Sequence, residues 1–184
     1  DLLHGIGIRK VNEISRCRDF DEYMTMSEAN FNIIVNPEVR MAAEDIARRL
    51  EIPSIELTRM YRVDKIHKQY QLMGGALGID IDDSAFKAEA EARVKAFSEK
   101  HSGKRIAIGE CLNADSFELA LSMTQYGCKV TEVYGTVSAT NMAYIKLLAR
   151  VSPDTRIYTN LEPTMLYYDC SEIPADVTIG KDAE

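Results

Sequence analysis

The sequence has little positive charge and no long apolar run. Lys and Arg together number 22, against 29 Asp and Glu, which gives a net charge of −7. A chain with that balance has no general attraction for nucleic-acid phosphates or anionic lipid headgroups. No uncharged stretch approaches the roughly 20 apolar residues that a membrane span needs. We therefore expect neither nucleic acid nor a membrane among the partners.

Cysteine is also scarce, and the four cysteines are scattered without C-x-x-C spacing. They are Cys17, Cys111, Cys128 and Cys170. No signal peptide is recognisable before them, so we expect a reduced, cytoplasmic setting. The first residue is Asp1 rather than Met, and residues 1–5 resemble the last turn of a helix with its glycine stop. The chain is therefore expected to be a piece of a longer protein.

What the sequence does contain is an ordinary globular composition, with 46% hydrophobic and 28% charged residues. Short β-rich runs alternate with amphipathic helical patterns along its whole length. This alternation predicts an α/β fold in which parallel sheets are flanked by helices. A connector at residues 101–103 precedes a fresh β-α alternation, so we predict two lobes, residues 1–101 and 102–184.

The first lobe contains the clearest strand–helix unit. Residues 31–35 form an apolar run typical of a buried strand. Asn36 is a good N-cap, Pro37 suits the first helical position, and apolar residues recur at helical spacing as far as Leu50. Further patterns predict a strand at 52–57, a helix ending at Gly78 and another beginning at residues 82–84.

The second lobe begins with a predicted strand at 105–109 and a loop at 110–114. Asp115 and Glu118 have the spacing of a capping box for a helix that stops at Gly127. Ser138 is predicted to cap a further helix. The remaining predicted strands are 129–134, 156–158 and 177–180.

Candidate chemistry is sought in the loops after the strands, because ligands of open parallel sheets bind at the carboxyl ends of the strands. Cys111 follows a strand near a helix start, where a thiol could ligate a metal or attack an electrophile, or could simply be half-buried. His4, His67 and His101 have no partner at ligand spacing and are interpreted as solvated. The residues alone therefore indicate a two-lobed α/β protein without a recognisable catalytic constellation.

Several short motifs occur in a specific order. They are Ala29-x-x-Asn32-Ile33-Ile34-Val35, Leu50-Glu51-Ile52-Pro53, Leu77-Gly78-Ile79-Asp80, Gly103-Lys104-Arg105 and Tyr126-Gly127. In this order and spacing the chain, from about residue 5 to its end, resembles the middle of the nitrogenase component 1 family. The resemblance implies Rossmann-like lobes, and this chain would supply the central lobe and the first half of the next.

The resemblance also implies a function. Family members are oxidoreductase components that contain an iron–sulfur cluster or a metallocluster derived from one. They pair with a homologous chain, as hetero- or homo-oligomers, and receive electrons from an ATP-driven iron protein. The isolated fragment is expected to hold no cofactor and to be inactive. The alternative is a non-catalytic scaffold on the same fold that binds a ligand or a cofactor precursor.

The residues that match the family's cluster pocket are Asn36, Glu110, Cys111 and Asn113. Asn36 stands where the cofactor-holding chain of molybdenum nitrogenase has a cysteine ligand, and an amide cannot replace a thiolate on iron. The loop from Glu110 to Asp115 has two acids and no arginine, which disfavours an anionic cluster unless Cys111 has become a ligand. We therefore predict no metal ligand in this fragment. The family's bridging-cluster cysteines come from the first lobe, outside this fragment.

Overall fold

The structure is a computed structural model that describes residues 2–110, 114–159, 161 and 175–181. The chain divides into two compact units. The first contains Asp1–Arg59 and His67–Asp83, and the second contains Met60–Ile66 and Ser84–Glu184. The boundary between residues 101 and 102 stays a prediction about the lobes of the whole protein.

The described residues form α-helices connecting parallel strands, which confirms the predicted fold class. The helices are α1 Leu2–Gly5, α2 Phe20–Met24, α3 Arg40–Leu50, α4 Val63–Leu77, α5 Ser84–Lys100, α6 Ser116–Gln125 and α7 Met142–Val151. Short 3₁₀ turns occupy Ile14–Arg16, Thr25–Glu28 and Pro37–Val39. The strands are β1 Asn32–Ile34, β2 Ser54–Glu56, β3 Arg105–Ile108, β4 Lys129–Gly135, β5 Arg156–Thr159 and β6 Val177–Ile179. None of the helices described is both long and apolar enough to cross a membrane.

The first unit is built on the parallel pair β1 and β2. The Asn36 side chain accepts a hydrogen bond from the Glu38 amide at 3.0 Å, which confirms the predicted cap. The first turn after Asn36 is 3₁₀ rather than α, and the Val39 amide bonds to the Asn36 carbonyl three residues back. Arg40, at the start of α3, then pairs with Glu56 of β2 through two hydrogen bonds of 2.9 Å.

The second unit contains a four-stranded parallel sheet in the order β5-β4-β3-β6. The chain runs from β3 outward through α6, β4 and α7 to β5, and β6 then pairs with the other side of β3. The direction of strand addition therefore reverses at β3. In doubly wound folds such a reversal opens a ligand crevice at the carboxyl ends of the strands.

The core of the second unit lies where α6 and α7 cover one face of this sheet. Its most deeply buried large side chains are Ile106, Ile108, Phe117, Val133 and Leu148, each at most 1% exposed. Burial of side chains of this size stabilises a fold by about 1.5–3 kcal/mol each. On the other face Tyr134 stacks on Tyr158 with ring centroids 4.8 Å apart. The core thus fixes the strand ends that carry the candidate site.

The chain entering β6 is tied to the start of β3 by an ion pair. The Arg105 amide donates to Asp176 at 2.8 Å, and its guanidinium donates to both carboxylate oxygens at 3.1 and 3.2 Å. These bonds lower the pKa of Asp176 from its ordinary 3.8 to about 2. A carboxyl with a lowered pKa contributes stability above its unfolded pKa and loses that contribution as pH falls through its folded pKa.

Asp176→Asn should therefore reduce resistance to denaturant at neutral pH, and the deficit should shrink between about pH 4 and pH 2, the interval bounded by these two pKa values. Urea midpoints of both proteins across this range test the expectation. Glu89→Gln breaks an exposed pair with Arg93 within α5 and should change little at any pH. A deficit that persists undiminished at the acid end would contradict the assignment.

Candidate functional site

A cavity of about 220 Å³ lies in the second unit where the carboxyl ends of β3 and β4 meet the start of α6. Its lining residues are Glu110, Ala114, Asp115, Ser116, Phe117, Gly135 and Thr136. The loops after these two strands are among those in which the sequence places candidate chemistry. The cavity therefore defines the candidate site in the described part of the chain.

Asp115 closes one side of the cavity and begins α6. Its Oδ1 accepts hydrogen bonds from the amides of Phe117 at 2.9 Å and Glu118 at 3.1 Å. The first amides of a helix have no partner within the helix, and they carry its positive end. The predicted N-cap is confirmed, and its carboxylate occupies this positive end.

Asn141 joins Asp115 to the loop after β4. Its Nδ2 donates to Asp115 Oδ2 at 2.8 Å and to the Thr136 carbonyl at 2.9 Å. Its Oδ1 accepts from the Ser138 amide at 2.9 Å. The prediction that Ser138 caps α7 is wrong, because α7 begins at Met142 after Asn141 and Ser138 is held in the preceding loop. Asn141 is 4% exposed and was not recognised from the sequence.

The hydroxyl groups of the cavity are also bonded within the protein. Ser116 Oγ donates to the Gly109 carbonyl at 2.7 Å, and Thr136 Oγ1 donates to Glu110 Oε1 at 3.3 Å. Glycine at residue 135 avoids a tight contact, because a Cβ there would lie 3.2 Å from the Phe117 ring. The end of β4 can therefore pass close to the first turn of α6.

On the other side of β3, main-chain hydrogen bonds join the residues that follow β3 and β6. The Glu110 amide donates to the Lys181 carbonyl at 2.9 Å, and the Lys181 amide donates to the Glu110 carbonyl at 3.0 Å. Gly180, with φ of 85°, makes this approach possible. The crevice expected between β3 and β6 is thus closed at this point, and the cavity lies between β3 and β4.

Glu118 does not complete the capping box predicted for α6. It is 2% exposed, and its Oε2 accepts from the Tyr61 amide at 2.7 Å. Its Oε1 accepts from Ser122 Oγ at 2.8 Å and from the Arg62 amide at 3.4 Å. The carboxylate therefore caps the start of α4, because these amides precede that helix and have no partner within it.

Tyr126 completes this cap. Its hydroxyl accepts from the Val63 amide at 2.8 Å and donates to the Tyr61 carbonyl at 3.3 Å. The Arg62 guanidinium lies 6.0 Å from the centroid of the Tyr126 ring and pairs with Asp64 at 2.7 Å. Three successive amides at the start of α4 are therefore bonded to two side chains, Glu118 within α6 and Tyr126 directly after it.

Burial raises the pKa of Glu118, although its hydrogen bonds from Tyr61, Ser122 and Arg62 oppose the shift and the nearby Asp115 charge adds to it. Burial and the same two carboxylates raise the pKa of Tyr144 on α7. Neither Asp115 nor Glu118 has an ion-pair partner in the part of the chain that the structure describes. Negative charge is therefore concentrated around the first turn of α6.

The structure does not bring together the four residues predicted to match a cluster pocket, as far as it describes them. Asn36 lies in the first unit and caps the turn before α3. Glu110 lies in the second unit and lines the cavity. Cys111 and Asn113 are outside the described residues. A cofactor-binding role for these positions stays a prediction.

One histidine differs from its sequence interpretation. His67 was expected to be solvated and without a partner, but its Nδ1 lies 2.7 Å from Oδ1 of Asp83, which is 4% exposed. The interpretation is wrong because the partner is not local in sequence: Asp83 follows His67 by 16 residues and directly precedes α5. No local spacing signals such a pair.

The described residues of the site do not fit the iron–sulfur cluster that the family resemblance implies. Across residues 2–110, 114–159, 161 and 175–181, no group of three or more His, Cys, Asp and Glu is placed to hold a metal ion. The lining residues offer two carboxylates, and Asp115 already fills the helix amides that would attract an anion. Iron–sulfur clusters are held by cysteine thiolates, and no cysteine is among the described residues that line this cavity.

Comparison with known proteins identifies a family and a similar solved structure. A family model described as nitrogenase component 1 type oxidoreductase matches residues 1–184. Among solved structures, one described as nitrogenase Cp1 at pH 6.5 is similar with a TM-score of 0.56 and 11% sequence identity, over 73% of this chain. The chain spans 30% of the length of that nitrogenase chain. No curated protein matches the sequence.

Proposed function

This chain belongs to the nitrogenase component 1 type oxidoreductase family, and from that membership we propose that it is part of a metallocluster-containing reductase that receives electrons from an ATP-dependent iron protein. The observation that carries the proposal is the family match along all 184 residues. The α/β fold with parallel strands, which the similar nitrogenase structure shares, supports the same conclusion.

The cluster itself is assigned to the whole protein rather than to this chain. Among its described lining residues the cavity at the start of α6 offers carboxylates and no thiolate, which supports thiolate ligands from other parts of the protein. We further propose a homologous component 1 chain as the oligomeric partner and the cytoplasm as the setting. Residues 1–101 and 102–184 would then belong to successive lobes of that larger protein.

A non-catalytic scaffold is the second candidate, and the chemistry of the cavity favours it. Glu110 and Asp115 line a cavity that has no Lys, Arg, His or Cys among its described lining residues. Such a cavity suits a ligand that donates hydrogen bonds better than it suits a redox cluster. In this alternative, the fold binds a small ligand or cofactor precursor and transfers no electrons.

The test uses the whole protein that contains these residues, purified without oxygen together with its iron protein. We expect iron–sulfur absorption in the visible range that bleaches when chemically reduced iron protein, which supplies the electrons, and MgATP are added. MgADP in place of MgATP is the control and should leave the absorption unchanged. An iron-free protein would contradict the reductase proposal, and iron that iron protein and MgATP do not reduce would favour the scaffold.

The 184-residue chain alone should form no stable cluster in anaerobic iron–sulfur reconstitution. The physical reason is that the described residues around the cavity include no thiolate ligand and no group placed to hold a metal ion. Iron content and visible absorption after desalting measure the outcome, with Cys111→Ser treated in parallel. Stoichiometric iron that the serine variant fails to retain would identify Cys111 as a ligand and refute the expectation.

A further inference from the structure

At the cavity at the start of α6, the helix amides that could bind an anion are already hydrogen-bonded to a side chain of the protein. Anions bind at helix N-termini because the first amides point outward with unsatisfied hydrogens. In α6 the amides of Phe117 and Glu118 both point to Asp115 Oδ1, at 2.9 and 3.1 Å. A carboxylate of the protein itself therefore occupies the place of a bound anion.

The side-chain donors that the structure describes around the cavity are likewise engaged. The Ser116 hydroxyl bonds to the Gly109 carbonyl, and the Thr136 hydroxyl bonds to Glu110. Asn141 uses its amide nitrogen twice, for Asp115 and for the Thr136 carbonyl. An entering anion would have to break one of these bonds for each side-chain donor it gained.

The group left available is an acceptor. Glu110 is exposed, and its Oε1 receives the Thr136 hydroxyl while Oε2 has no hydrogen-bond partner among the described residues. The Asp115 carboxylate lies across the same cavity, and Glu118 adds a buried carboxyl in the same helical turn. The charges of these carboxylates oppose the entry of an anion into the cavity.

We propose that Asp115 and Glu110 are specificity-determining residues that exclude anionic ligands from this cavity, Asp115 by acting as the internal occupant of the helix amides and Glu110 by repulsion at the mouth. The cavity accordingly rejects both inorganic phosphate and a polyanionic cluster. This inference rests on the geometry of the cavity and is independent of the proposed redox role.

The test is a titration of the 184-residue chain with inorganic phosphate at constant ionic strength, followed by the amide resonances of Phe117, Glu118 and Gly135. Wild type should show no saturable change. The variant Asp115→Gly with Glu110→Gln frees the amides and removes both charges, and glycine is still an acceptable N-cap. We expect its phosphate association constant at these amides to exceed that of wild type at least about tenfold.

The matched control is Asp19→Gly with Glu89→Gln, which removes an N-cap aspartate from α2 and one exposed glutamate from α5. It changes the net charge equally and should leave phosphate binding at α6 as in wild type. If circular dichroism shows the glycine variant to be unfolded, Asp115→Ser with Glu110→Gln replaces it; its hydroxyl still caps one amide, so it tests removal of the two charges and should gain affinity by a smaller factor.

Saturable binding of phosphate to wild type at these amides would overturn the proposal, and so would a folded variant that gains no affinity. The outcome is separable from the proposed function. A whole protein without iron would refute the reductase and leave the exclusion of anions intact, whereas phosphate binding here would refute the exclusion whatever the iron content.

Discussion

Glu118→Ala should lower the free energy of unfolding by about 3 kcal/mol, because it leaves buried donors without an acceptor. The donors are the amides of Tyr61 and Arg62 and the hydroxyl of Ser122. Each unsatisfied buried donor costs about 1–3 kcal/mol, and removal of a carboxylate that has no cationic partner offsets part of the total. Urea unfolding at neutral pH measures the change.

Glu89→Ala is the control, because Glu89 makes only an exposed pair within α5. Its expected effect is within about 0.5 kcal/mol. A similarly small effect of Glu118→Ala would mean that the entry to α4 does not depend on this cap.

Glu118→Gln separates the charge of this side chain from its hydrogen bonds. Glutamine keeps an acceptor for Tyr61, so the loss at neutral pH should be well below that of alanine. Because burial raises the pKa of Glu118 above its ordinary 4.5, wild type has its greatest advantage below that pH. The advantage over Glu118→Gln should then decrease as pH rises through the raised pKa. A difference that grows with pH would contradict the direction of the shift.

The role of Glu118 also shows where sequence reasoning stops. The helix α3 was predictable because its apolar periodicity is a local pattern, and so is the Asn36 cap of the 3₁₀ turn that leads into it. Asp115 was predictable for the same reason, since a cap bonds to amides two and three residues ahead. Glu118 has the local spacing of a capping box, yet its partners lie 56 and 57 residues earlier in the chain. A long-range bond in the buried interior overrides the local motif.

The sequence predicts where the candidate site lies, but it does not predict all of the residues that form it. The general rule for parallel sheets located it in the loops after β3 and β4, where the cavity lies. Asn141 was missed because its importance comes from partners at Asp115 and Thr136, which are remote from each other in sequence. The local pattern instead favoured Ser138, whose hydroxyl lies 2.7 Å from that of Thr140 and does not cap a helix.

The closed crevice between β3 and β6 depends on a single glycine. A Cβ added at Gly180 would lie 2.6 Å from the Glu110 carbonyl oxygen, a main-chain atom that can move only with its strand. Gly180 also has φ of 85°, a conformation that costs an ordinary residue about 1–2 kcal/mol. Gly180→Ala should therefore lower the free energy of unfolding by at least about 3 kcal/mol, from backbone strain and the lost main-chain bonds together.

Gly103→Ala isolates the two contributions. Gly103 has a similar φ of 75°, but a Cβ there would meet nothing within 4 Å. Its substitution should cost about 1–2 kcal/mol from strain alone, so the excess at Gly180 measures the contact with Glu110. Hydrogen exchange should also accelerate at the amides of Glu110 and Lys181 in Gly180→Ala, since these amides form the bonds that close the strand ends. Equal losses in the two variants, with those amides still protected, would mean that β6 can shift away from Glu110 without opening the sheet.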